Sequence, residues 1–258
     1  MTNYSEEHSD FLLKIKNEKK IIFICRLSII ILFLLLWEFL VRCNVINSFL
    51  FSSPSKIINT LFNLIKEYHL ITHIKITLFE VMISFFISAV FGILISSFLW
   101  ANDIIFKIIE PYLTILNSLP KVALGPLIII WFGASIKSII FMGVIISIFI
   151  TIINIYTGFI STNKNYVIML KSFGANKWQV FKYVVLPSNV SLIISSLKIN
   201  MSMNLIGIIM GELLVSKKGL GYLIMYGSQV FNINLVISCI FIIGVLSYIM
   251  YLLIAKIK

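Results

Sequence analysis

Side chains able to do chemistry are scarce in this sequence, and several stand inside long apolar runs. Lys121 lies within segment 111–132, beside Pro120 and ahead of Pro126. Asn200, Asn204 and Glu212 interrupt segment 192–214. A charge at membrane mid-depth is costly and usually faces a cavity or a partner. Lys121 therefore suits the path of an anion, unless it lies nearer an interface and snorkels. Asn200 and Asn204 are one helical turn apart. They could line a cavity or hydrogen-bond neighbouring helices, the latter worth about 0.6–2 kcal/mol each. Glu212 stands close to Lys217 and Lys218, and an exposed ion pair there would be worth under about 1 kcal/mol.

Catalytic and metal constellations do not emerge. Cys25, Cys43 and Cys239 are odd in number and far apart, which gives neither a disulfide framework nor a metal spacing. His8, His69 and His73 form no ligand cluster; His69 and His73 could share a helix face but lack carboxylate or cysteine company, and read as surface residues. No histidine falls in an expected span, and the aspartates are Asp10 and Asp103, so an intramembrane hydrolase would lack its nucleophile or metal. No Gly-x4-Gly-Lys-Ser/Thr phosphate loop occurs, and the chain is expected to bind no cofactor. A lone proton-driven carrier would want a chain of buried acids, and none is evident.

The elements that must position these residues are membrane helices. The chain has 258 residues, 60% hydrophobic and 12% charged, with a mean hydropathy of +1.05. A soluble domain is nearer a quarter charged. A net charge of +11 would suggest nucleic acid in a soluble protein, but here the basic residues lie mostly in loops and termini. The expected fold is all-α and polytopic, with six spans at 21–41, 76–100, 111–132, 136–158, 192–214 and 231–255, each near one bilayer thickness. Segment 1–20 is polar, and the first span lacks a small-residue cleavage site, so it should be uncleaved. Ser52-Ser53-Pro54 opens an amphipathic helix over 54–69 that should lie on the outer surface, with Ile57, Ile58, Leu61, Phe62 and Ile65 on one face. Segment 101–110 reads as a polar turn and 216–229 as a glycine-rich outer loop. Eleven basic residues then fall in inner segments and seven in outer ones, which puts both termini and the loop 161–190 in the cytoplasm. No internal repeat supports the inverted-repeat plan of many secondary transporters.

That loop carries Lys164, Lys171, Lys177 and Lys182 and no acid. Residues 166–171 are helix-compatible, Phe173-Gly174 breaks the run, and Asn176 can cap a second helix. Trp178, Val180, Phe181, Val184 and Val185 supply apolar anchors. Leu186-Pro187 should end the helix. Two short helices with exposed aromatics would make a docking plug for a soluble partner; an ordinary connecting loop is the alternative.

The loop resembles the so-called EAA loop of binding-protein-dependent ATP-binding-cassette permeases. There a glycine is followed ten residues later by a hydrophobic residue, any residue, and Leu-Pro; Gly174 with Val184, Val185, Leu186 and Pro187 keeps that register. The Glu-Ala-Ala itself is absent, replaced by Ile168, Met169 and Leu170. Trp37-Glu38, Ser53-Pro54, Thr77-Leu78 and Phe91-Gly92 are similar to the family's earlier motifs, although Glu80 stands where an arginine is common. Leu119-Pro120-Lys121-Val122-Ala123-Leu124, Gly125-Pro126-Leu127 and Trp131-Phe132-Gly133 resemble the nitrate, sulfonate and taurine branch, and Glu212 followed by Gly219-Leu220-Gly221 matches its ending. The resemblance implies a type I importer permease in the bacterial cell membrane that is not itself an enzyme. Its partners would be a second permease copy, a cytoplasmic ATPase dimer, an external substrate-binding protein and the bilayer, with no nucleic acid. It further implies that Gly174, Ala175, Asn176, Lys177, Trp178, Phe181, Val184, Leu186 and Pro187 couple to the ATPase, with Trp178 and Phe181 as apolar anchors. Lys121, Asn200, Asn204 and Glu212 would be candidates for the translocation pathway, Glu212 at an outer-gate or structural position. The cargo would be a sulfonate-, taurine- or nitrate-like anion, or alternatively a thiamine-precursor pyrimidine.

Overall fold

A computed structural model describes residues 6–67 and 69–256. Lys258 and the side chains of His8, Asp10 and Lys19 fall outside the described residues. Helix α1 (Glu6–Arg42) begins well before the expected first span, because residues 6–20 contain no helix breaker. A single turn, α2 (Ser48–Phe51), leads to α3 (Pro54–Glu67). Ser53 caps α3 through its hydroxyl, 3.3 Å from Lys56 N. Glu38 of α1 reaches the same helix start, accepting from Ser55 N at 3.1 Å and Ser55 Oγ at 2.9 Å. On α3 the fully buried residue is Leu64, with Ile57 beside it, whereas Ile58, Phe62 and Ile65 of the expected face point away from the protein.

Helix α4 (Leu70–Ala101) starts six residues before the expected second span. The expected polar turn at 101–110 is instead the first part of α5 (Asp103–Ser118), with Pro111 inside it. One cause is a local cap and the other is packing on a distant segment. Asn102 caps Ile105 N at 3.3 Å, and Phe106 stacks on Tyr156 with ring centroids 3.6 Å apart. The third segment is not one straight helix. After Leu119-Pro120 comes a 3-10 turn, Lys121–Leu124, then α6 (Gly125–Phe132), with an 86° bend between the two parts. A proline removes a helical hydrogen bond and restricts the residue before it, so Pro120 sets the corner and Pro126 tolerates only the first turn of α6.

Helices α7 (Ile136–Ile160), α8 (Lys164–Ser172), α9 (Lys177–Val180), α10 (Leu186–Ser188) and α11 (Val190–Val215) follow. A π-helical turn at Phe181–Val185 joins α9 to α10. The expected glycine-rich loop at 216–229 is mostly helix α12 (Leu220–Gln229), and α13 (Ile233–Ala255) closes the chain. Among the described residues, helices α1, α4, α7, α11 and α13 are long and apolar enough to cross a membrane, with the bent α5–α6 pair as a sixth crossing if it counts as one.

The centre is the trio α4, α7 and α11. Lipid offers no hydrophobic drive between helices, so close backbone approach and hydrogen bonds must hold them. The sequence supplies small residues at four-residue spacing: Ser84, Ser88, Gly92 and Ser96 on α4, and Gly143, Ser147 and Thr151 on α7, all buried. Helix α11 crosses α7 at Gly207, where an added Cβ would lie 2.6 Å from Gly143 Cα.

Candidate functional site

The loop between α7 and α11 is built by local signals. Gly174 has φ +80°, its N–H bonds Lys171 O at 2.9 Å, and Ala175 N bonds Leu170 O at 3.1 Å. That pair of bonds is the Schellman close of a helix. Asn176 and Gln179 then form a reciprocal capping box, at 2.9 and 2.8 Å, that starts α9. Pro187 does not end the second helix as expected. The wider π turn, closed by Leu186 N on Phe181 O, places Pro187 in the first turn of α10, where a missing N–H costs little.

The anchors separate into two kinds. Val180, Phe181, Val184 and Val185 are buried. Phe181 is 7% exposed and sits 5.4 Å from Phe159, 5.1 Å from Trp100 and 5.8 Å from Trp178. It packs into its own chain rather than standing out for a partner, which corrects the expectation for Phe181. Trp178 is 67% exposed, as expected of an anchor, and Phe173 at 82% and Tyr183 at 63% join it. Phe173 and Tyr183, with Leu170, Gly174, Ala175 and Gln179, line an open groove of about 390 Å³ between the short helices. Lys177 lies 5.9 Å over the Trp100 ring. Leu186 is half-buried and Pro187 exposed. Sequence periodicity could not have found Tyr183, because the π turn shifts it out of the 3.6-residue register that Trp178 starts.

Asn200 and Asn204 are fully buried between helices. Asn204 Nδ2 donates to Asn200 Oδ1 (2.8 Å) and Ser88 Oγ (3.0 Å). Ser84 donates to Asn204 Oδ1, and Asn200 Nδ2 donates to Thr151 Oγ1 at 2.6 Å. With these amide groups committed to α4 and α7, the structure takes the interhelical alternative over cavity lining for both asparagines. Lys121 behaves differently. Its Nζ donates to Asn117 Oδ1 at 2.9 Å and Ile146 O at 3.4 Å, and lies 5.8 Å from the Phe149 ring centroid. Ile146 is the eleventh residue of α7, about 15 Å from its start at 1.5 Å per residue. The ammonium therefore lies level with the middle of α7. Lys198 also interrupts an apolar run, that of α11, and its Nζ lies 5.4 Å from the centroid of the Tyr251 ring.

Glu212 sits at the end remote from the 161–190 loop, 1% exposed, and is not paired with Lys217 or Lys218. It accepts from Thr77 Oγ1 at 2.6 Å and Gly221 N at 2.6 Å. Thr77 Oγ1 in turn accepts from Leu220 N at 2.9 Å, and Gly219 N donates to His73 Nδ1 at 2.9 Å. Three side chains from α4 and α11 thus satisfy the first free N–H groups of α12. Gly219 (φ +104°) and Gly221 leave room for the Glu212 carboxylate, which an added Cβ at either would strike. His73 is consequently not a surface residue: it is half-buried inside α4 and stacks on Tyr222 at 5.9 Å. One turn from Thr77, Glu80 faces the Glu212 carboxyl. It is 2% exposed, and its Oε2 has no hydrogen-bond partner. Two buried acids do lie together, contrary to the expectation of none.

Comparison with known proteins agrees with this architecture. Residues 88–257 match the family model described as binding-protein-dependent transport system inner membrane component. The formylaminopyrimidine transport permease protein ThiX of Halalkalibacterium halodurans is 31% identical over 74% of this chain and 76% of its own length. The putative aliphatic sulfonates transport permease protein SsuC of Bacillus subtilis is 24% identical over 81% of this chain and 76% of its own. An inward-facing MetNI methionine ABC transporter shares the fold at a TM-score of 0.66, with 16% identity, over 73% of this chain and 94% of that one. The family model spans about two thirds of the sequence and a relative of 31% identity covers 74% of it, so this chain belongs to the family of binding-protein-dependent transport system inner membrane components.

Proposed function

We propose that this chain is the permease half of an ATP-driven importer whose 161–190 loop receives a cytoplasmic ATPase. The observation that carries the reading is the loop's surface. Phe173, Trp178 and Tyr183 are exposed on a segment that holds four lysines and no acid. Exposed aromatics of this kind dominate protein contacts. The loop is mechanically joined to the spans. Val180, Phe181 and Val185 pack on Ile155 and Phe159 of α7, and α10 runs into α11. A push on the short helices would therefore move α7 and α11 together, a rigid-body switch between two packed states. Nucleotide and magnesium stay on the ATPase. The loop faces the cytoplasm with both termini, a second copy of the chain completes the pore, and an external binding protein delivers cargo.

For the cargo, the Lys121 ammonium level with the middle of α7 supports a small anion of the sulfonate, taurine or nitrate kind. The 31% identity to a permease named for formylaminopyrimidine supports a pyrimidine as the second reading. The test is affinity purification of the tagged chain from its native membrane with identification of its companions. A stoichiometric phosphate-loop ATPase that is lost on Trp178→Asp supports the assignment. A chain that purifies alone and moves solute without ATP refutes it. Uptake of labelled ethanesulfonate, set against formylaminopyrimidine, decides the cargo class.

A further inference from the structure

Two hollows meet where the 161–190 loop joins the long helices. One is an apolar groove of about 270 Å³ whose walls include Phe98, Trp178 and Phe181. The other is a cavity of about 310 Å³ lined by Lys164, Lys171 and Lys177. Trp100 and Lys177 belong to both, with the Lys177 ammonium 5.9 Å over the Trp100 ring. Among the described residues Asp103 is the acid lining the cavity, and the one ion pair of the chain is Arg42–Glu38. Three lysines against one aspartate leave two positive charges in excess there, and none of the three is paired.

The groove stands at a membrane boundary. Helix α4 is long and apolar enough to cross a membrane and ends at Ala101, beside Trp100, a residue type that favours the interface. Ile87, Phe91, Leu94 and Phe98 follow one another at three- and four-residue spacing on one side of α4, all exposed. Phe98 is also a wall of the groove, so the groove continues an apolar stripe open to acyl chains. The lysines want a phosphate, to which ammonium groups donate strong hydrogen bonds. A soluble anion would leave the groove empty. A zwitterionic lipid would bring a further cation against three lysines. We propose that the two hollows form one site for an anionic phospholipid, with an acyl chain in the groove and the phosphate among Lys164, Lys171 and Lys177. Clustered basic residues at a membrane surface attract such lipids. The lipid clamps α9 to the end of α4 and so belongs to the support of the loop, not to the path of the solute. Trp178 gives the groove one wall, and its exposed remainder is the surface offered to the ATPase.

The test is tryptophan quenching in the full-length chain, held in phosphatidylcholine nanodiscs that contain brominated phosphatidylglycerol or brominated phosphatidylcholine. Trp37→Phe/Trp131→Phe leaves Trp100 and Trp178 as the reporters. Brominated phosphatidylglycerol should reach half-quenching at a mole fraction at least about fivefold lower, the factor for one lysine near an anionic lipid. Lys164→Gln/Lys171→Gln in the same background should remove that preference, and inorganic phosphate should not displace the lipid. Equal quenching by the two lipids, a preference unchanged in the lysine variant, or displacement by inorganic phosphate overturns the proposal, the last by assigning the lysines to a soluble anion. Native mass spectrometry of the unmodified chain, released from mixed nanodiscs, should retain phosphatidylglycerol over phosphatidylcholine and decides the matter if a variant fails to fold. Both leaflets carry the probe and no ATPase is present, so the outcome is independent of the importer reading, which a chain that captures no ATPase would sink by itself.

Discussion

Substituting the two neighbouring aromatics of the loop should have opposite consequences. Phe181 is 7% exposed among Phe159, Trp100 and Trp178, at 5.1–5.8 Å. Buried Phe→Ala changes cost about 3–5 kcal/mol, and aromatic pairs add roughly 0.5–1.5 kcal/mol beyond area. At roughly 2–4 °C per kcal/mol for a chain of this size, the combined loss of about 3.5–6.5 kcal/mol means that Phe181→Ala should lower the melting temperature by roughly 7–26 °C. Trp178 is 67% exposed, and surface changes usually stay within about 0.5 kcal/mol. Trp178→Ala should therefore melt within about 2 °C of the parent. Its loss should appear at the interface instead, where a central tryptophan is worth about 2–4 kcal/mol, or roughly 30- to 1000-fold in affinity. The assay is thermal unfolding of the purified permease in detergent, followed by titration with its ATPase. If Phe181→Ala melts like the parent yet abolishes ATPase binding, Phe181 faces the partner and the packing argument is wrong.

Other perturbations follow from the same geometry. Gly174→Ala meets no atom within 4 Å but keeps φ +80°, so it should cost about 1–2 kcal/mol and speed proteolysis at 173–176. Thr77→Val keeps the shape but strips Glu212 of a donor and Leu220 N–H of its acceptor. At about 1–3 kcal/mol per orphaned group, it should lower the melting temperature and expose 216–219 to protease. Gly207→Ala drives a methyl into Gly143 Cα at 2.6 Å, whereas nothing lies within 4 Å of a Cβ at Gly244. Size-exclusion profiles should show aggregated Gly207→Ala and normal Gly244→Ala.

What the sequence discloses is local. Asn176, Gly174 and Ser53 each act within a few residues of themselves, so cap and turn chemistry can be read directly from spacing. Helices α7 and α11 are legible to within two residues at each end because their apolar runs end in polar turns. What stays hidden depends on distant partners or irregular backbone. Glu212 meets Thr77 across 135 positions, and His73 meets Gly219 across 146. No periodicity connects them, so His73 reads as surface, and segment 216–229 reads as loop although its free N–H groups are capped from elsewhere. Phe181 and Trp178 look equivalent because both are aromatics in a short basic helix. Only the fold shows that one faces α7 and the other faces outward. Lys121 is conspicuous by its type, but its depth becomes measurable only against Ile146.

The acidic motif residues share one physical role. Glu38 of α1 accepts from Ser55 at the start of α3, and Glu212 of α11 accepts from Gly221 at the start of α12. In each case a carboxylate on a long helix closes the N-terminus of a short helix elsewhere in the fold. A helix start leaves free N–H groups, and inside or beside a bilayer little water is available to take them. A carboxylate also suits the positive end of the helix dipole. The residues around each acid follow from that role. Ser55 supplies a second donor at 2.9 Å, and Gly219 and Gly221 clear the space that the Glu212 carboxylate fills. The pairings Trp37-Glu38 with Ser53-Pro54, and Glu212 with Gly219-Leu220-Gly221, are thus each one object seen at two places in the sequence. Glu80 plays no such part, since it caps no helix and its Oε2 bonds nothing.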